Sequence, residues 1–97
     1  MRIVWLVFAQ RDLASIADYY RDVAGGRVSR HVVQTIVRSA SLLINHPHLG
    51  SPSESIDGVH ELQVPHLPYL LPYRVIGERI EILRVFHESQ DRPSKWQ

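Results

Sequence analysis

The spacing of hydrophobic and polar positions changes along the chain, and each spacing predicts one kind of element. Residues 2–8, RIVWLVF, are β-branched, aromatic or leucine at nearly every position, which predicts a strand covered on both faces. Apolar residues then recur every three or four positions in 9–24 and in 27–45, which predicts two helices, each with one buried stripe. Gly25 and Gly26 separate these stretches, so we expect the helices to form a hairpin.

The middle of the chain predicts a loop followed by a strand. Residues 46–58 are rich in proline, glycine and serine, which is typical of a loop. Residues 59–64, VHELQV, alternate as a strand does, with Leu62 and Val64 on one side. Residues 88–97 predict a polar tail.

Residues 69–87, YLLPYRVIGERIEILRVFH, predict a β-hairpin with its turn at Gly77-Glu78. Glycine reaches the positive φ that a two-residue turn requires, and this turn sets a register in which Arg74 faces Glu81. Pro72 has no N–H to donate, so we expect a local break in strand pairing near it. The face predicted to lie on the core carries Tyr69, Leu71, Tyr73, Val75, Ile80, Ile82 and Phe86.

The predicted order of elements is β-α-α-β-β-β in a single domain, residues 1–97. Such an order indicates an α+β two-layer sandwich, in which an α-helical hairpin covers one face of an antiparallel sheet. We expect the first strand to insert into that sheet.

Composition narrows the possible functions. The formal net charge is +1, from 11 basic and 10 acidic residues, which argues against non-specific nucleic-acid binding as the main activity but does not exclude a local basic groove. We expect no direct, specific nucleic-acid binding. There is no cysteine, which excludes disulfides and thiolate metal ligands. His46 and His48 lack further ligands at metal-binding spacing, so we expect no metal and no cofactor. No apolar run is long enough to span a bilayer, and we expect a cytoplasmic protein.

Five motifs occur in order along nearly the whole chain. They are A-x-x-D-L-x-x-I-x-x-Y from Ala9 to Tyr19, L-x-x-x-P-x-x-G from Leu43 to Gly50, Glu61-Leu62, P-Y-x-x-x-Y-R-V from Pro68 to Val75, and I-L-R-V-F-H-x-x-Q-D from Ile82 to Asp91. Taken together they resemble the RelE/ParE superfamily of toxins from type II toxin–antitoxin systems. One departure is His60, where such toxins usually carry an arginine.

The resemblance implies two different toxic activities. RelE-like members are ribosome-dependent mRNA endoribonucleases, which need basic residues on the phosphate and an acid or base for the 2′-hydroxyl. Here Leu70 and Glu88 stand where that branch is expected to carry basic residues, and Arg74 has a structural role opposite Glu81. The H-x-x-Q-D ending favours the ParE-like branch, whose members resemble inhibitors of DNA gyrase that act by protein–protein binding. A third hypothesis is a degenerate member that only binds its partner.

Candidate sites follow from these hypotheses. Arg84 and His87 are the only candidates for catalysis. The antitoxin of such a system is expected to wrap the toxin with a helix and an extended tail. The candidates for contact with the antitoxin are Leu13, Ile16, Tyr20, Val33 and Val37. The candidates for contact with the target are Arg84, His87, Gln90, Asp91 and Trp96.

Overall fold

The computed structural model describes residues 1–90, so the candidates Asp91 and Trp96 lie outside the described residues. The helices are α1 (Val7–Ala24) and α2 (Gly26–Ser41), and a 3₁₀ turn, Leu42–Ile44, follows α2. The strands are β1 (Arg2–Trp5), β2 (Ser51–Pro52), β3 (His60–Gln63), β4 (Tyr69–Ile76), β5 (Arg79–Ile82) and β6 (Phe86–His87).

The first strand is shorter than its apolar run predicts. It ends at Trp5, and α1 begins at Val7 rather than at Ala9. The side-chain amide of Gln10 donates to the Trp5 carbonyl oxygen at 2.7 Å, which fixes the chain where strand changes to helix. A hydrogen bond of this kind is not visible in the hydrophobic pattern.

The sheet has the order β1-β5-β4-β3-β2, and β6 pairs with β4. The α+β fold with a helical hairpin is confirmed, but the sheet is mixed because β1 runs parallel to β5. Strand β1 also lies at the edge of the sheet. Short turns force antiparallel pairing. No short turn joins β1 to β5, so local sequence did not determine the direction of this pair.

The predicted register of the hairpin is confirmed. Ile76 pairs with Arg79, and Arg74 pairs with Glu81. Gly77 has a φ of 59°, in the left-handed region that favours glycine. The register therefore follows from a turn that the sequence encodes locally.

The break expected near Pro72 is also present, and it changes which side chains reach the core. β5 ends at Ile82 and β6 starts at Phe86, so three residues lie between them. In this break the Leu83 N–H donates to the Pro72 carbonyl oxygen at 2.9 Å. The break shifts the alternation by one residue, which turns each later side chain to the opposite face. The prediction that Phe86 lies in the main core is therefore wrong, and Val85 takes that place.

The main core lies between the helical hairpin and the sheet. The Ser29 hydroxyl of α2 donates to the Ala17 carbonyl oxygen of α1 at 2.7 Å and so holds the two helices together. The buried residues of this core are Ala9, Val32, Ile36, Ala40, Leu43, Leu62, Val64, Tyr69, Leu71, Tyr73, Ile80, Ile82 and Val85.

A smaller apolar cluster lies apart from this core. Its buried members are Val59, Leu70, Leu83 and Phe86, with Leu6 and Ile56 packed against them. The loop before β3 thus contributes Ile56 to the cover of this cluster.

Candidate functional site

A cleft opens between α1 and the last residues of the sheet. Its volume is about 410 Å³. The residues that line it, called the tyrosine cleft below, are Asp12, Ser15, Ile16, Tyr19, Tyr20, Tyr69, Val85, His87 and Gln90. It brings together residues of α1 and of the segment around β6, which are far apart in the sequence.

The helix α1 supplies one wall of the tyrosine cleft. Ile16, Tyr19 and Tyr20 follow one another at helical spacing, so they project from the same side. The rings of Tyr19 and Tyr20 meet edge to face with centroids 5.1 Å apart. Tyr19 remains 59% exposed, so this wall presents an aromatic surface to solvent.

Strand β4 supplies Tyr69 at the base of the cleft. Burial raises the pKa of Tyr69, and the hydrogen bond with the Tyr20 side chain raises it further. Its phenol therefore stays protonated through the neutral range. The Tyr69 ring also packs edge-on against the His87 imidazole, with centroids 5.5 Å apart.

The opposite wall is a tight turn after β6. The Ser89 backbone N–H donates to His87 Nδ1 at 3.1 Å, and the Ser89 hydroxyl lies 2.7 Å from the same nitrogen. The His87 N–H donates to Gln90 Oε1 at 2.9 Å. Because a backbone N–H can only donate, Nδ1 is the acceptor, and the neutral ring carries its proton on Nε2.

Arg84 lies beside the cleft and is held by Asp12 of α1. Its Nε and Nη2 atoms donate to the two carboxylate oxygens at 2.7 and 3.1 Å. The Val85 backbone N–H donates to the same carboxylate at 2.9 Å. The hydrogen bond with Asp12 raises the pKa of Arg84. The candidate Arg84 is therefore engaged in an ion pair with helix α1.

The remaining hairpin arginines are also paired. Glu81 is buried and accepts from Arg74 Nε at 2.7 Å and from Arg79 Nε at 2.9 Å. The hydrogen bond from Arg74, followed by that from Arg79, lowers the pKa of Glu81. The predicted pairing of Arg74 with Glu81 is therefore confirmed, and Arg79 joins it.

The candidates for antitoxin contact fall into two groups. Leu13, Ile16 and Tyr20 are partly buried and pack against the main core, and the last two also line the tyrosine cleft. Val33 is partly buried on α2, and Val37 is 38% exposed on the same helix. The cleft thus combines two antitoxin candidates with the target candidates His87 and Gln90.

A second groove, of about 520 Å³, lies beside β2 and β3. Leu42 and Leu49 line it and are about half exposed. Close to this region the Tyr73 hydroxyl donates to the Pro47 carbonyl oxygen at 2.9 Å and accepts from the Gly50 N–H at 3.0 Å. This buried tyrosine holds the start of the loop against the sheet.

His60, the position that departs from the superfamily pattern, stacks on the Tyr73 ring with centroids 5.6 Å apart. Its Nδ1 is buried without a hydrogen-bond partner. Within residues 1–90, no three His, Cys, Asp or Glu side chains are grouped so as to hold a metal ion. No helix in that part of the chain is long and apolar enough to cross a membrane.

Five residues that line the cleft were not among the candidates from sequence, namely Asp12, Ser15, Tyr19, Tyr69 and Val85. A signal was present for Asp12. It stands three residues after Ala9 and four before Ile16, so it interrupts the buried stripe of α1 with a charge. A charged residue on a buried stripe needs a partner of opposite charge, which here is Arg84.

Comparison with known proteins identifies the family. The family model described as "ParE toxin of type II toxin-antitoxin system, parDE" matches residues 3–92. The chain belongs to this ParE toxin family. It is also 35% identical over 92 residues to Y4kP of Sinorhizobium fredii (strain NBRC 101917 / NGR234), which is named as a candidate toxin; the match covers 95% of this chain and 93% of that protein.

A solved structure titled "Chromosomal ParDE TA system from P. aeruginosa" contains a similar chain. The two folds superpose with a TM-score of 0.81 at 34% sequence identity. The match covers 90% of this chain and 95% of that chain. The ParE-like branch predicted from sequence is therefore confirmed, and the ParDE context supports an antitoxin as a partner.

Proposed function

We propose that this ParE-family toxin inhibits DNA gyrase by protein–protein binding and that a cognate antitoxin neutralises it. The observation that carries the proposal is the state of the hairpin arginines. Arg74 and Arg79 share the Glu81 carboxylate, and Arg84 is bound by Asp12. Because carboxylates occupy these arginines, the arginines stabilise the fold rather than offering free cations to an RNA phosphate. Inhibition of gyrase by binding needs a contact surface and no catalytic group.

The chemistry of His87 supports the same choice. Attack of a ribose 2′-hydroxyl needs a base that accepts its proton. While Ser89 occupies Nδ1, the free nitrogen of the neutral His87 ring carries a hydrogen and cannot accept another. The same Nε2–H group can donate a hydrogen bond to a protein partner, which fits a binding role.

The residues that we assign to target contact are Arg84, His87, Gln90, Asp91 and Trp96. Within residues 1–90, His87 and Gln90 line the tyrosine cleft, and Arg84 braces it through Asp12. The antitoxin candidates Ile16 and Tyr20 line the same cleft. We infer that the antitoxin and the target compete for this cleft. The bound antitoxin would then neutralise the toxin by keeping the target out of the cleft. Action on gyrase would place the toxin in the cytoplasm.

The decisive experiment is a DNA supercoiling assay with purified toxin and gyrase. We expect dose-dependent loss of supercoiling, relieved by an equimolar amount of antitoxin. The same toxin is added to a translating extract, in which mRNA is examined for codon-positioned cuts. Two results together would contradict gyrase inhibition and support a ribosome-dependent endoribonuclease. These are full supercoiling at every toxin dose and mRNA cuts that disappear in His87→Ala. If neither activity occurs and expression without antitoxin leaves growth unchanged, the chain is a degenerate member.

A further inference from the structure

The exposed face of α2 carries charges of one sign only. Arg27, His31, Gln34 and Arg38 follow one another at spacings of four, three and four residues, so they lie in line along the helix. Arg30 lies beside this line, and all five side chains are exposed. These five residues, called the α2 stripe below, are on the side of the helix opposite its buried residues.

No carboxylate within residues 1–90 pairs with an arginine of the α2 stripe. The salt bridges in that part of the chain use arginines of α1 and of the hairpin, and none uses Arg27, Arg30 or Arg38. The sequence also has no acidic residue between Asp22 and Glu54. The three guanidinium groups are therefore available to a ligand, unlike those of the hairpin.

The exposed face of α1 differs from that of α2 in its charges. It carries Arg11, Asp18, Arg21 and Asp22, which are two charges of each sign, and Arg21 pairs with Asp18 at 2.8 Å. Mixed charges of this kind are sufficient for a soluble surface. The surplus of positive charge on α2 is therefore more than solubility requires.

The α2 stripe fits a nucleic-acid backbone better than it fits a protein. The centre of a protein interface is depleted of charged residues, whereas protein–DNA interfaces are polar and strongly positive. No apolar side chain lies within the stripe, and the exposed Val28 and Val37 lie only at its margins. Arginine also matches the phosphate group, to which it can donate two parallel hydrogen bonds.

The length of the stripe fits an extended polyanion. At a rise of about 1.5 Å per residue, Arg27 and Arg38 are about 16 Å apart along the helix axis. Duplex DNA carries one phosphate charge for about every 1.7 Å of its axis, so a straight positive row of this length meets phosphates along its whole extent.

We propose that the α2 stripe is a surface for contact with the phosphates of duplex DNA, without sequence preference. The stripe shares no residue with the tyrosine cleft, so the toxin can hold a protein in the cleft and DNA on α2 together. Gyrase itself holds DNA, and the contact would favour binding of the toxin to DNA-bound gyrase. This role at gyrase rests on the proposed function, whereas the DNA contact depends only on the arginines of α2.

The test is fluorescence anisotropy of a labelled duplex titrated with full-length toxin between about 50 and 200 mM salt. Release of counterions from about three phosphates predicts a slope of log affinity against log salt of about −2.7, or roughly a 40-fold loss over this range. Arg27→Gln, Arg30→Gln and Arg38→Gln should each make the slope shallower by about 0.9. Arg11→Gln removes the same charge from the exposed face of α1 and should leave the slope unchanged. Circular-dichroism melts of these four variants should match the wild type, because all four side chains are exposed.

A second arm compares the wild type with a variant that has all three α2 substitutions. We expect this variant to inhibit supercoiling by gyrase only at several-fold higher doses and to bind antitoxin as the wild type does. No salt-dependent DNA binding, or equal slopes for the wild type and the three α2 variants, overturns the DNA contact and leaves gyrase inhibition standing. Weaker antitoxin binding with unchanged DNA binding would make the stripe a protein surface and also overturns it. The expected slopes together with full supercoiling at every wild-type dose support the DNA contact and contradict gyrase inhibition.

Discussion

Asp12 on α1 and Arg84 after β5 are 72 residues apart in the chain and form a two-point ion pair. The same carboxylate accepts from the Val85 N–H at 2.9 Å. Asp12 therefore binds the backbone at the break between β5 and β6, where ladder hydrogen bonds are missing. The interaction fixes the helix layer to the part of the sheet that lines the tyrosine cleft.

Asp12→Asn should destabilise the fold by about 1–3 kcal/mol, because it leaves the partly buried Arg84 charge without its partner. The measurement is urea unfolding followed by circular dichroism. Asp18→Asn is the matched control, since its pair with Arg21 is well exposed and should be worth less than about 0.5 kcal/mol. Equal losses for the two variants would contradict the role given to Asp12.

The buried Glu81 carboxylate should make the stability of the fold depend on pH. Its pKa is lowered below its ordinary value of 4.5, so the stability it contributes is complete above that pH and is lost as pH falls through the lowered pKa. Glu81→Gln should therefore be less stable than wild type at pH 7 by about 1–2 kcal/mol, and the difference should shrink on acidification. Thermal melts at pH 7 and pH 3 measure it. Glu78→Gln, in the exposed turn, should behave as wild type.

Gly50→Ala should destabilise the protein for a steric reason. A Cβ atom there would lie 2.7 Å from Tyr73 Cε1 and 2.8 Å from the Glu61 carbonyl oxygen, closer than such atoms approach. We expect a loss of about 1–3 kcal/mol in denaturant unfolding, as in other overpacked sites. Gly26→Ala has room beside Arg30 and lies in a helix, so it should be neutral or slightly stabilising. Near-wild-type stability of Gly50→Ala would mean that the loop shifts freely.

Tyr19→Ala tests whether the tyrosine cleft is an antitoxin surface. The Tyr19 side chain is 59% exposed, so its removal should leave the melting temperature almost unchanged. We expect antitoxin affinity to fall by about tenfold or more, since exposed aromatic residues often anchor interfaces. Val23→Ala is the control, because Val23 is equally exposed on α1, at 61%, and does not line the cleft. Unchanged antitoxin affinity in Tyr19→Ala would mean that the antitoxin binds outside the tyrosine cleft.

Much of the fold was predictable because its signals are local. Helical spacing gave both helices, and the Gly77 turn gave the register that places Arg74 opposite Glu81. The exchange of Val85 and Phe86 between faces was not predictable in the same way. Pro72 indicated a break, but the number of residues in it depends on how Asp12 and Pro72 hold the backbone from other elements.

The site was predictable only in part, since it forms between distant segments. His87 and Gln90 were candidates for the target, and Ile16 and Tyr20 for the antitoxin. The sequence does not show that these four residues share one cleft, because α1 and β6 come together only through tertiary packing. The ion pair of Arg84 with Asp12 joins residues 72 positions apart, so it too depends on tertiary packing.

The pairing of β1 with β5 also has a consequence for biosynthesis. Arg2 pairs with Arg79 and Trp5 with Ile82, so the first strand made by the ribosome waits for almost the last. Contacts between such distant segments form late in folding. The β1 edge of the sheet can therefore form only after β5 has left the ribosome, so this part of the fold is among the last to be completed during synthesis.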